Sequence, residues 1–252
     1  MLVGLIGSGN MASALARGWD EPVLCTDVVP ERARALAAEV GGEALASNPQ
    51  LADRADLVVL CHKPGQLGEV AAEIAGRPKA VASILAATPL AALREAYPGV
   101  PVFRFIPNVA VAVRRGVLGY AQQDATDPEL EAAVIERFGR VGTVVALEDR
   151  LMDVAMGLMS CSPAFFALIV EALADAGVTH GMPADHADRL VTEAMGGTAA
   201  LLADQGHDTL ALRRSVTSPG GATARGLRAL EDRGARAALA AAVEAALEGP
   251  RR

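Results

Sequence analysis

The chain has 252 residues, 52% hydrophobic and 21% charged, and at about 100–200 residues per domain it accommodates two modest domains. A net charge of −7, with only five Phe, two Tyr and one Trp, excludes a nucleic-acid groove, which needs a basic footprint and stacking rings. Three widely spaced cysteines (Cys25, Cys61, Cys161) without a C-x-x-C point to a reducing cytoplasm, and four histidines without ligand spacing speak against a metal site.

In chain order, Leu2–Ile6, Val23–Thr26, Leu57–Cys61, Ala80–Ile84 and Val102–Ile106 read as strands. Most are continuously apolar, as strands covered on both faces must be. Met11–Trp19, Glu31–Val40, Pro49–Ala55 and Gln66–Ala75 carry helical spacing between them. This alternation predicts an α/β fold with a doubly wound parallel sheet. Runs at Gly116–Ala121 and Thr143–Leu147, flanking a helical Asp127–Gly139, extend the sheet at one edge and end a first domain near Glu148.

Residues 149–252 read as all helix, with candidates Arg150–Met159, Pro163–Ala176, Pro183–Ala203, Leu210–Ser215, Pro219–Asp232 and Ala235–Leu247. Helices so rich in Ala and Leu make a thin core alone, so self-association into a homodimer or higher homo-oligomer is expected. The longest uncharged run, Val154–Val170, contains Ser160, Ser162 and Pro163 and is short for a bilayer span. A buried helix pair is expected there, with no membrane partner. The start Met1-Leu2-Val3 lacks the basic segment of a secretory signal.

Two motifs carry chemistry. Gly7-Ser8-Gly9-Asn10-Met11-Ala12 fits G-x-G-x-x-[GA] between the first strand and first helix. Gly7 permits a tight turn, Gly9 lets backbone approach a pyrophosphate, and the helix N-terminus supplies free N–H groups. Asp27 ends the second strand about 20 residues later, where the dinucleotide fingerprint places a ribose-binding carboxylate. It favours NAD slightly by repelling a 2′-phosphate, while Arg32 and Arg34 are positioned either to neutralise that phosphate or to be plain surface charges. Asn48, Lys63-Pro64 and Asn108 follow later strands and are further cofactor candidates. Lys63 either contacts the cofactor or closes its turn, and His62 reads as a turn residue.

The second motif is Ser218-Pro219-Gly220-Gly221-Ala222-Thr223. Ser before Pro reads as an N-cap and first helical residue. Two glycines in a first turn would cost about 1 kcal/mol each relative to alanine. Their use is either to leave the N–H groups of Gly220, Gly221 and Ala222 open to a small carboxylate or to permit a tight helix–helix contact.

With both motifs, the chain resembles pyrroline-5-carboxylate reductases over nearly its whole length. The resemblance rests on Ile6–Met11, Lys63-Pro64, Arg104–Asn108, Glu171–Gly177 and, above all, Val216–Thr223 followed by Gly226-Leu227 and Leu230-Glu231. It implies a Rossmann domain and a helical dimerisation domain, reducing the imino acid L-1-pyrroline-5-carboxylate to L-proline with NADPH or NADH. Ser218, Gly220 and Gly221 would seat the carboxylate, with Thr223 facing the ring nitrogen as the catalytic hydroxyl. A protonated imine is already electrophilic, so the protein mainly supplies orientation.

Three segments depart from the family pattern. Ser160-Cys161-Ser162 stands where Gly-Ser-Gly is usual, Val109-Ala110 where Thr-Pro is usual, and Arg213-Arg214 where the second position is commonly acidic. They leave open a paralogue acting on another cyclic imine or small carboxylate, or a non-catalytic dinucleotide-binding regulator. No lysine follows Lys79, which removes dehydrogenases, such as the β-hydroxyacid class, that need a catalytic lysine in the second domain.

Overall fold

A computed structural model describes residues 1–123 and 127–248. Contacts divide the chain into two compact units, residues 1–163 and 164–252.

The first unit is built on β1 (Val3–Ile6), β2 (Leu24–Thr26), β3 (Glu43–Ala44), β4 (Leu57–Leu60), β5 (Val81–Ser83), β6 (Val102–Pro107), β7 (Gly116–Ala121) and β8 (Gly142–Leu147). They form one sheet in the order β3-β2-β1-β4-β5-β6-β7-β8. All neighbours are parallel except β6 and β7, so the edge extension read from the sequence enters by one antiparallel step.

Helices cover both faces: α1 (Asn10–Trp19), α2 (Pro30–Val40), α3 (Asn48–Arg54), α4 (Leu67–Glu73), α5 (Leu90–Ala96) and α6 (Pro128–Gly139). The alternation of each strand sorts its side chains between two cores. Val3, Leu5, Leu57, Val59, Phe103 and Phe105 pack with α1, α2 and α6 on one face. Ile6, Val58, Leu60, Val81, Val102 and Ile106 pack with α3, α4 and α5 on the other. The few aromatics are concentrated in the first core, where the Phe105 ring stacks on Phe138 with centroids 4.0 Å apart.

Two elements absent from the sequence reading, β3 and α5, appear here. β3 is a two-residue edge pairing with β2. The N-cap of α5 is Pro89, which has no capping side chain. The missing acceptor comes from a distance, since Asp149 Oδ2 accepts from the Leu90 N–H at 3.1 Å.

Asp149 also serves the one strongly buried charge on β6. Arg104, 2% exposed, donates to Asp149 Oδ1 at 2.7 Å and Asp153 Oδ1 at 3.0 Å. These carboxylates bracket the start of α7 (Met152–Ala155), whose Met152 is fully buried in the second core. Residues 149–163 are therefore largely helical in conformation but belong by contact to the first unit, which runs past the sequence boundary near Glu148. Beyond α7 a π-helical turn, Met156–Ser160, directs the Ser160 hydroxyl onto the Pro107 carbonyl at 3.1 Å. Ser160 is thus bonded into the fold.

The second unit contains most of α8 (Ser162–Thr179), then α9 (Ala184–Asp204), α10 (Thr209–Ser215), α11 (Ala222–Asp232) and α12 (Ala235–Leu247). Among its described residues only Ala174, Ala187 and Leu212 are buried hydrophobics, whereas Leu168 is 64%, Leu190 57% and Phe166 52% exposed. Apolar surface on this scale marks an interaction face.

Replacing Arg104 by Met leaves Asp149 without its buried partner. The expected loss is about 3 kcal/mol, the low end for a broken buried ion pair because Asp149 is part-exposed. The urea unfolding midpoint followed by far-UV circular dichroism checks it.

Candidate functional site

The first sequence motif forms a turn from the end of β1 into α1. Gly7 sits at φ +100°, a conformation that side-chain-bearing residues rarely adopt. A Cβ there would lie 2.8 Å from the Cys61 carbonyl and 2.9 Å from the His62 nitrogen, so the turn crosses directly over the end of β4. Gly9 differs: nothing lies within 4 Å of its notional Cβ, so the protein's own packing does not demand glycine there. It caps α1, and the first bond of that helix runs from the Ser13 N–H to the Gly9 carbonyl at 2.9 Å. The N–H groups of Asn10, Met11 and Ala12 precede that bond and are available to an anion.

A cavity of about 220 Å³ opens over this turn, bordered by Gly7, Gly9, Asp27, Arg32, Asn48, His62 and Lys63. A larger cavity of about 780 Å³ adjoins the ends of β2 and β3 and shares Asp27, Val28 and Asn48 with it. An open glycine, a free helix N-terminus and a carboxylate at the end of β2 together fit a dinucleotide.

Asp27 is also part of the scaffold. Its Oδ2 accepts from the Ser8 N–H and its Oδ1 from the Val29 N–H, both at 2.8 Å, tying the glycine turn to the loop after β2. Of the two arginines read from the sequence, Arg34 is engaged by Glu31 at 2.6 Å, while Arg32 borders the smaller cavity and forms no ion pair among the described residues.

Lys63 closes its turn, one of the two roles the sequence allowed. Its N–H donates to Gln66 Oε1 at 3.2 Å and its carbonyl accepts the Gln66 N–H at 3.0 Å, closing the turn. The same residue borders the cavity. Pro64 begins that turn without bordering the cavity, and Asn10 and Met11 contribute backbone rather than cavity wall. Asn108 lies apart: it is buried, and its Oδ1 accepts from the Val117 N–H at 3.1 Å, joining β6 to β7.

His62, read as a turn residue, borders the cavity beside Gly7. Its Nδ1 lies 2.9 Å from the Lys63 carbonyl, which requires a proton on that nitrogen, and its Nε2 is buried without a partner among the described residues. Burial lowers the imidazole's pKa below its ordinary value.

The second motif lies in the second unit, and its reading as a helix start at Pro219 is corrected. Helix α11 begins at Ala222 with Gly221 as its N-cap, not Ser218. Ser218–Gly221 form a β-turn closed by the Gly221 N–H on the Ser218 carbonyl at 3.0 Å. Pro219 occupies its second position and Gly220, at φ +68°, its third, the pattern of a type II turn. The glycines thus meet a turn's demands rather than weaken a helix: a Cβ on Gly221 would lie 2.3 Å from the Ser218 hydroxyl. The Gly221 N–H is consumed, and the open donors shift to Ala222, Thr223 and Ala224 in the first turn of α11. Thr223 is exposed, and its hydroxyl has no partner among the described residues.

Comparison with known proteins places this arrangement. Residues 149–251 match the family described as pyrroline-5-carboxylate reductase dimerisation, and residues 2–87 match NADP oxidoreductase, coenzyme F420-dependent. The pyrroline-5-carboxylate reductase of Methanosarcina acetivorans is 34% identical, across 98% of this chain and 95% of its own length. The chain belongs to the pyrroline-5-carboxylate reductase family. The Thermus thermophilus reductase is 35% identical over 97% of this chain and 93% of its own length. Among solved structures, the Streptococcus pyogenes reductase superposes with a TM-score of 0.89 at 27% identity, covering 98% of this chain and 97% of its own. The NADP-bound Plasmodium falciparum pyrroline carboxylate reductase gives 0.87 at 26%, covering 98% and 96%.

For this reductase, Gly9→Val should leave the thermal midpoint nearly unchanged while abolishing dinucleotide binding by calorimetry. Gly7→Ala should lower both, since its Cβ meets backbone. A second expectation concerns pH. The unfolded chain takes up a proton on His62 near pH 6.5, above the depressed folded value, so this group's stabilising contribution is complete above about 6.5 and lost as pH falls through the folded pKa. Thermal midpoints between about pH 7 and about pH 5 should decline less in His62→Phe than in the parent.

Proposed function

We propose that the protein reduces the cyclic imine L-1-pyrroline-5-carboxylate to L-proline with NAD(P)H, the last step of proline biosynthesis. The observation that carries this reading is full-length similarity to reductases of that name, together with an intact Ser218–Thr223 segment.

When bound, the reduced nicotinamide supplies the hydride. The protonated imine is already electrophilic at carbon, so the chain's own groups need provide no strong acid or base. In the first unit, the N–H groups opening α1 would hold the pyrophosphate, and Gly9 would leave it room. In the second, the N–H groups of Ala222, Thr223 and Ala224 donate to the substrate carboxylate at the positive end of α11. The Ser218–Gly221 turn shapes that seat, and Arg225 braces it by donating to the Gly220 carbonyl at 2.7 Å. The Thr223 hydroxyl, without a partner among the described residues, hydrogen-bonds the ring nitrogen as it becomes an amine.

The working unit in this reading is a homodimer or larger homo-oligomer formed through the second unit, whose exposed Phe166, Leu168 and Leu190 need cover. Residues Asp149–Thr179 are, by length and composition alone, apolar enough to cross a membrane. Their place in the dimerisation match supports a protein partner for that surface instead. Three free cysteines suit a cytoplasmic setting.

The test is imine-dependent oxidation of NADH and NADPH by purified protein. Thr223→Ala should lower kcat by about 10²-fold, as for loss of a group that orients the imine for hydride transfer. Gly221→Val, which displaces the Ser218 side chain, should chiefly raise KM. Absence of pyrroline-5-carboxylate turnover with either cofactor would overturn the assignment.

A further inference from the structure

Asp27, Val28 and Asn48 stand between the two cavities at the end of β2 and border both. The larger cavity also draws Glu73, from the last residue of α4, so two carboxylates from different elements face it. Its guanidinium, Arg34, is paired with Glu31.

Asn48 links these groups. Its Oδ1 accepts from the Thr26 hydroxyl at 2.6 Å, and its Nδ2 donates to Glu73 Oε2 at 2.6 Å. A carboxylate accepts only, so Glu73 fixes which end of the amide carries the donors. Rotating the amide would set its carbonyl against the Glu73 oxygens. With one Nδ2 hydrogen on Glu73, the other remains free to donate. Asp27 is held by the Ser8 and Val29 N–H groups and cannot swing out of the site without releasing the glycine turn.

We infer that Glu73 is a second specificity-determining carboxylate, acting with Asp27 to admit a ribose 2′-hydroxyl and to reject a 2′-phosphate. It acts by charge on the cavity and by holding Asn48 with a donor presented. Neither role is visible in the sequence, where Glu73 is one of many helix-surface acids. The inference rests on the NAD(P)H reading above and makes this chain an NADH-preferring enzyme. Arg32, a cation on the smaller cavity without an ion pair among the described residues, is the rival group: seating a 2′-phosphate there would reverse the preference.

The experiment measures NAD⁺ and NADP⁺ affinities by calorimetry without any imine, on the parent, Glu73→Gln, Glu73→Leu, Asp27→Asn and Arg32→Ala. The parent should bind NAD⁺ more tightly. Glu73→Gln keeps an acceptor for Asn48 and removes the charge, so it should narrow the NAD⁺/NADP⁺ ratio roughly fivefold, mainly by improving NADP⁺. Glu73→Leu also frees the amide and should weaken NAD⁺ itself. Arg32→Ala should change the ratio little. A parent that prefers NADP⁺, a Glu73→Gln ratio equal to the parent's, or selective loss of NADP⁺ in Arg32→Ala would each overturn the proposal. Because no imine is present, failure of pyrroline-5-carboxylate turnover leaves these affinities interpretable and bears only on the reaction assigned above.

Discussion

The crossing of Gly7 over the backbone at the end of β4 is the contact on which the dinucleotide site depends. Strands β1 and β4 are neighbours at the point where the chain winds first towards β3 and then back towards β5, and such reversals open a crevice at the strand ends. Only a residue without Cβ lets the β1 turn settle low in that crevice. Once it does, the Ser8 N–H reaches Asp27, Asp27 reaches Val29, and the loop after β2 is drawn against the same crevice. Residues His62 and Lys63 of the turn after β4, and Asn48 of α3, also border it. The site is thus a consequence of one close backbone approach, extended by hydrogen bonds to the loop after β2.

The two units solve the problem of burial differently. The first has two buried cores of its own, one on each face of the sheet, and even its buried Arg104 is paired. The second has good helices and almost no interior. Alanine gives these helices strong propensity but little side chain to bury, so their stability must come from surfaces outside the single chain. A match to a dimerisation family over this segment agrees with that physical need. The economy in large side chains and the dependence on a partner are two aspects of one composition.

Much of the fold was legible because the signals were local. Continuous apolar strands, the Gly7–Ala12 turn and Asp27 all lie in short windows, and each stands where its pattern implied. What escaped were features whose cause lies far along the chain. Helix α5 lacks a local cap because Asp149 supplies it, and Asn48 owes its orientation to Thr26 and Glu73. Ser218-Pro219 was misread for another reason: Ser-Pro opens a helix and a type II turn equally well, and the left-handed Gly220 is what decides between them. His62 was passed over because nothing in its neighbours announces that the β1 turn will lie on top of it.

The gathering of aromatic rings in the first unit has a practical side. Trp19 is the chain's single tryptophan; it packs edge-on to Phe138 at 5.6 Å, beneath the Arg137 guanidinium, and donates its indole N–H to the Arg137 carbonyl. Its intrinsic emission therefore reports on the nucleotide-binding unit. The helical unit contains no tryptophan at all, so separation or melting of those helices is optically silent at the indole wavelength unless it disturbs the sheet. Fluorescence will consequently follow the first unit, whereas helical dichroism sums both, and any divergence between them measures how independently the units unfold.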